Sequence, residues 1–173
     1  MVREAKGGHN LIMSLLVVRP FGGSDLGWAE ALMENFAGRL HARLGEVVDV
    51  LACPGFVAEI NGERCGIATF REAERSVEVV YIETTVRHRG VGTALIGQVL
   101  DSARGKRVWL VTTNDNLDAL RFYQRRGFRL AELRAGAVDE TRHRLKPSIP
   151  SIGNFGIPVH DEIVLERKAE APG

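Results

Sequence analysis

The chain has 173 residues, 45% of them apolar and 26% charged, a balance that suits one soluble globular domain. Its 23 basic and 22 acidic residues leave a net charge of +1. That excludes whole-surface steering toward nucleic acid or membrane, so any anion site must be local.

Residues 1–12 read as a leader and Met13 as a candidate start, with a single domain over 13–168 and a polar tail over 169–173. The apolar run from Leu11 to Val18 ends at Arg19-Pro20. It is too short to span a bilayer and lacks a small-residue cleavage site, and the spacing predicts a strand over 15–19. Ser24 or Asp25 caps an expected helix over 25–44, whose stripe is Leu26, Ala29, Leu32, Met33, Phe36 and Leu40. Strands over 56–60 and 65–70 flank Asn61-Gly62, a hairpin signal because both turn positions favour positive φ. A third strand covers 76–84, with Val77, Val79 and Tyr81 alternating against Glu78, Val80 and Ile82.

From residue 90 to 103 the spacing turns helical, with Val91, Ala94, Leu95, Val99 and Leu100 inward and Gly105 as the stop. Residues 108–112 are nearly all apolar, as in a buried parallel strand. Asn116 caps a helix over 117–126, Gly127 stops it, and a strand follows over 128–133. The stretch 135–158, with three prolines, reads as a long loop, and a last strand covers 163–166. Cys53 and Cys65 stand outside any CxxC or Cys/His cluster, which predicts free thiols, no metal and a cytoplasmic setting.

The strand ending near Thr84 is followed by Arg87-His88-Arg89-Gly90-Val91-Gly92-Thr93 and then a helix. A helix start offers unpaired N–H groups and the positive end of a dipole. Glycines 90 and 92 let backbone approach a bulky anion, and the three basic residues add charge, so the segment suits a pyrophosphate. Leu95 stands where a dinucleotide fingerprint would place its third glycine, and no Walker GK[ST] follows. Downstream lies Asn116-x-x-Ala119-x-x-Phe122-Tyr123-x-x-x-Gly127-Phe128.

Arg87-x-x-Gly90-x-Gly92 resembles the Q/R-x-x-G-x-G/A signature of the GCN5-related N-acetyltransferase (GNAT) superfamily. The Asn116–Phe128 segment resembles that superfamily's second conserved region, in the right order and context. The resemblance covers residues 15–168. It implies an α/β fold: a mixed, mostly antiparallel sheet with a splayed parallel pair and helices on both faces. It also implies acetyl transfer from acetyl-CoA to a primary amine by direct attack in a ternary complex. The acceptor would be a small molecule or a protein amine, and homodimers are common among such proteins. A non-catalytic acyl-CoA-binding module on the same fold is the alternative.

Amine attack on a thioester needs a base, an oxyanion donor and an acid. The resemblance makes Tyr123 the acid that protonates the departing thiolate. Its plain alternative is a core tyrosine beside Phe122. Asn116 shares its helix face two turns earlier, with small Ala119 between, and reads as a pantetheine contact, a helix cap, or both. Backbone groups around Ile82 and Thr84 are the expected oxyanion and pantetheine partners. Glu83 is the candidate base, with water or a solvated strand face as alternatives. Asn114, Glu78 and Arg142 are candidate substrate contacts. The basic run Arg121, Arg125, Arg126, Arg129 reads mainly as a solvated helix face. Residues 135–158 lie on the expected acceptor side, either as a binding loop or as a packed loop anchored by Phe155 and Ile157.

Overall fold

A computed structural model describes residues 15–34 and 38–170. The expected leader, Met13, Phe36 and the last three residues of the expected tail lie outside the described residues. Nine strands and four helices follow in chain order among them: β1 (Leu16–Pro20), α1 (Leu26–Glu34), β2 (Leu40–Arg43), β3 (Glu46–Asp49), β4 (Gly55–Ile60), β5 (Glu63–Glu72), β6 (Ser76–Thr84), α2 (Val91–Ser102), β7 (Arg107–Thr113), α3 (Leu117–Gln124), β8 (Arg129–Arg134), α4 (Ala137–Arg144) and β9 (Glu162–Lys168).

Seven strands form one sheet in the order β1-β4-β5-β6-β7-β9-β8, and β2-β3 is a separate ribbon. Every neighbouring pair in the large sheet is antiparallel except β6 and β7, the parallel pair expected from the apolar run at 108–112. Asn61 and Gly62 turn the β4–β5 hairpin with φ of 52° and 85°, as the sequence indicates.

Two expectations are corrected. The helix expected over 25–44 is described only to Glu34, and 40–49 is a hairpin. Leu44 and Gly45 both take positive φ (51° and 76°) between the paired Arg43 and Glu46, which is a tight two-residue reversal. The alternation of apolar residues in β2 and β3 is too short to outweigh the helical stripe that precedes it. The loop expected over 135–158 contains α4. Gly136, with φ 73°, precedes it. Asp139 and Glu140 stand in its first turn, and Arg142, His143 and Arg144 in its last, so charge matches the helix dipole at both ends. Only Val138 and Thr141 are buried in α4, so no apolar stripe announces it.

The helix α2 packs on one sheet face. Leu95, Ile96 and Val99 meet Val77, Val79, Val108 and Leu110 there. Leu95 is fully buried, and truncating such a residue to Ala costs about 2–5 kcal/mol. The opposite face is covered by α1 and the 50–52 turn, where Ala29, Met33, Val50 and Leu51 enclose Ile67 and Val80. The sheet is the wall between two apolar layers.

Candidate active site

The parallel pairing of β6 with β7 runs from Ser76↔Arg107 to Val79↔Leu110 and stops. Both strands continue, to Thr84 and Thr113, so they diverge. Beyond Leu110, β7 stays paired on its other side with β9. A bulge marks the start of the divergence: Thr69 faces Tyr81 but Phe70 faces Val79, so Val80 is the extra residue. Sequence alternation placed Tyr81 with Val79 and Ile82 on the other side. The bulge reverses this. Tyr81 joins the α1 cluster with Val80, and Ile82 packs with the α2 cluster.

The phase of the β5–β6 ladder fixes which way the amides point. Thr85 N–H donates to the Cys65 carbonyl at 2.9 Å, so residues 65 and 85 exchange hydrogen bonds, and Ile67 and Glu83 do too. Ile82 and Thr84 are the alternate residues. Their N–H and C=O groups therefore turn away from β5 and into the gap left by β7. Thr84 N–H is held at 3.0 Å by the Glu83 carboxylate. Glu83 lies opposite Ile67, on the α1 face of the sheet.

Over the ends of β5 and β6 stands the start of α2, where a Cβ on Gly92 would lie 3.9 Å from the Thr84 methyl and one on Gly66 2.7 Å from Val91. Gly90 precedes the helix with φ 76° and ψ 0°, a left-handed conformation that costs other residues about 1–2 kcal/mol. Val91, Gly92 and Thr93 form the first turn, whose N–H groups have no intrahelical acceptor. His88 is also left-handed (φ 59°), and Arg87, His88 and Arg89 are exposed around this turn. Gly92 has a second role that the sequence did not indicate. A Cβ there would stand 3.0–3.1 Å from the Phe122 ring, so this glycine sets how closely α2 and α3 approach.

Asn116 caps α3 through a bond from Ala119 N–H at 3.2 Å. Tyr123, on the same helix, is buried edge-on between Phe122 and Phe128. Burial holds its phenol well above the ordinary tyrosine value, so it stays protonated through the neutral range. Arg126 is the residue the sequence undervalued. Its Nε donates to the Thr93 hydroxyl at 3.1 Å, its Nη1 to the Phe122 carbonyl at 2.7 Å, and its guanidinium lies 3.6 Å from the Phe122 ring centroid. It brings positive charge to the start of α2 from the turn that follows α3, a relationship no local spacing encodes.

The three candidate substrate contacts each bond to protein groups. The Glu78 carboxylate is buried and paired with Arg43 and Arg71. The Asn114 side chain accepts from the His160 and Asp161 amides and donates to the Pro158 carbonyl. Arg142 donates to the Ile149, Pro150 and Val159 carbonyls and to Asp139. The last two fasten the segment that follows α4.

Cys53 and Cys65 are free thiols. Among the described residues no group of three His, Cys, Asp or Glu side chains is placed to hold a metal ion. No helix among them is long and apolar enough to cross a membrane.

Two backbone donor sets thus lie beside each other, one at a helix start and one at a strand divergence. Residues 25–128 match the model of the acetyltransferase (GNAT) family. The chain belongs to that family. As a GNAT protein it is 38% identical over 117 residues to the uncharacterized protein YdhI of Bacillus subtilis (strain 168), a match covering 65% of this chain and 72% of that protein. Its fold is shared with the ribosomal-protein-S18-alanine N-acetyltransferase of Escherichia coli, with a TM-score of 0.65 and 18% identity over 92% of this chain and 97% of that one. It is shared equally with a GNAT family acetyltransferase of Elizabethkingia anophelis solved with acetyl-CoA bound. There the TM-score is 0.64 and the identity 18%, over 88% of this chain and 97% of that one. The mixed sheet with one parallel pair is the expected architecture, and the chain is an acetyltransferase of this family.

Proposed function

We propose that this acetyltransferase moves the acetyl group of acetyl-CoA directly to a primary amine while both are bound. The observation that carries the reading is the adjacency of the two donor sets. The first turn of α2 after left-handed Gly90 lies beside Thr84, and the outward amides of Ile82 and Thr84 line the β6 side of the gap. A phosphate pair suits the first set and an amide-bearing arm ending in a thioester suits the second. Acetyl-CoA supplies the acetyl thioester. The amine nitrogen forms the new C–N bond as the C–S bond breaks, the nitrogen gives up a proton, and the sulfur takes one.

In this reading Val91, Gly92 and Thr93 amides hold the pyrophosphate, with Arg87, His88, Arg89 and Arg126 adding charge. Ile82 orients the thioester end through its backbone, and Asn116 contacts the arm. Glu83 takes the amine proton. Its carboxylate is oriented by the Thr84 amide, which leaves Ile82 as the freer strand donor. Tyr123 returns a proton to sulfur, and its phenol is protonated in the resting enzyme. The acceptor is a small-molecule amine or a protein amine, and a reducing cytoplasm suits the two free thiols.

Titration calorimetry with acetyl-CoA, followed by transfer assays over an amine panel, tests this. Saturable binding and acetylated product are expected. No binding at millimolar acetyl-CoA overturns the cofactor assignment. Binding without transfer to any amine supports a non-catalytic acyl-CoA-binding module instead.

A further inference from the structure

The β6–β7 pair has a second end. It begins at Ser76 and Arg107 and opens only beyond Val79 and Leu110, about 10 Å further along the strands. At the closed end, away from the gap, lies a cavity of about 400 Å³. Arg75, Arg107, Arg129, Arg167 and Lys168 line it, with Glu166 as the one carboxylate. In a chain with a net charge of +1, five cations against one anion is a strong local excess.

Strand order places these charges. The neighbours here are β6, β7, β9 and β8. Arg75 precedes β6, Arg107 begins β7, Lys168 ends β9 and Arg129 begins β8, so each of four adjacent strand ends brings one cation. Arg107 stands directly opposite Lys168, and Arg129 opposite Glu166. Cross-strand partners share a face, as do residues two apart on one strand, so these four side chains project together. Like charges placed opposite each other are unfavourable, and Glu166 answers only one of them, because its carboxylate is bonded to Arg107. The Trp109 ring, its centroid 5.4 Å from the guanidinium, braces Arg107 further. Arg167 reaches the cavity from the other face of β9, held to the Arg126 carbonyl at 2.7 Å and 3.6 Å from Glu170. Among the described residues the side chains of Arg75, Arg129 and Lys168 make no ion pair or hydrogen bond. Gly105 and Gly127 complete the wall, both left-handed with φ of 81°, and put no side chain into the space.

We infer that this cavity binds a small ligand carrying at least two phosphate groups, at a site separate from the one proposed for acetyl-CoA. The volume is that of a small-ligand site. The four strand ends span three strand spacings, about 14 Å, which two joined phosphates bridge better than one. Three of the four cations in the row are arginines, whose planar guanidinium takes phosphate oxygens two at a time. The inference rests on the cation cluster and not on the acetyl-transfer reading.

Titration calorimetry on the full chain saturated with CoA tests it, with inorganic pyrophosphate and orthophosphate as probes. CoA keeps the probes from the start of α2. Pyrophosphate should bind at one site per chain, about tenfold or more tighter than orthophosphate, and more weakly as salt rises. Arg75→Ser and Arg129→Ser change exposed residues and keep the fold. Each should weaken pyrophosphate binding about tenfold. No saturable pyrophosphate binding, equal affinity for the two anions, or unchanged affinity in either variant overturns the inference. So does binding of poly(U) RNA without binding of pyrophosphate, since an extended basic surface would then be what is recognised. A chain that fails to bind CoA sinks the cofactor assignment, while loss of pyrophosphate binding in the two variants still locates the anion in this cavity.

Discussion

The Arg126 guanidinium bonds the Thr93 hydroxyl from the far side of the α2–α3 seam while stacking on Phe122, which in turn meets Gly92. In the proposed cofactor site, affinity and helix packing would therefore share one set of atoms. Arg126→Ala is expected to weaken CoA binding about tenfold, near 1.4 kcal/mol, through loss of both charge and positioning. Gly92→Ala should do the same by a different route, forcing the Phe122 ring to move. Calorimetry with CoA checks both, and retained affinity in both variants would remove this seam from the site.

Tyr123→Phe separates chemistry from packing. The ring sits between Phe122 and Phe128, and those contacts survive the loss of the hydroxyl. Turnover should drop about a hundredfold or more while CoA affinity holds. The wild type also has a defined alkaline response. The phenol is raised above its ordinary value of 10.0 by burial, so the folded state binds the proton more tightly. That contribution is complete below pH 10 and is lost as pH rises through the folded value. Urea midpoints should fall more steeply above pH 10 for the wild type than for Tyr123→Phe.

The buried Arg43–Glu78 pair attaches the β2–β3 ribbon to β6, with Arg71 bridging Glu78 to Glu46 of the same ribbon. Side-chain exposure is only 10% for Arg43 and 5% for Glu78. Glu78→Gln should cost about 3–5 kcal/mol by leaving a buried cation unmatched. The pair replacement Arg43→Met with Glu78→Leu should recover most of it. Urea denaturation of the three variants decides. A mild Glu78→Gln phenotype would mean that water or ligand reaches this cluster.

Asp25 is fully buried and receives Arg19, Arg64 and the Gly22 amide. Chiefly through Arg19, its carboxyl is held far below the ordinary value of 3.8. The folded state therefore binds this proton poorly. The stabilisation is present above pH 3.8 and is lost as pH falls below it. Asp25→Asn should flatten the stability decline between about pH 4 and about pH 2, as read from urea midpoints at each pH.

Much of this was legible in the chain. The Asn61-Gly62 turn, the 76–84 strand and the Gly90 helix start carry local chemistry strong enough to specify themselves. The β2–β3 ribbon was not, because Leu32, Met33 and Leu40 keep helical spacing across the point where the chain turns extended. The face of Tyr81 could not be read either. Period-2 counting assumes an unbroken ladder, and the extra residue at Val80 exists only relative to β5. Arg126 belongs to the same class, since its partner Thr93 is 33 residues away. Nor could the protein partners of Asn114 and Arg142 be read. Their partners are backbone carbonyls and amides of a segment whose path spacing does not reveal.

The last strand, β9, lies between β7 and β8 and borders the divergent end of β7. During synthesis β7 and β8 emerge early and cannot pair with each other, since the strand that joins them is made last. Until residues 162–168 leave the ribosome, β7 has one open edge, and past Leu110 it has two. An interrupted or shortened chain would expose that edge for pairing with other chains. The divergence of β6 and β7 thus makes the final strand the one that closes the exposed edge of β7.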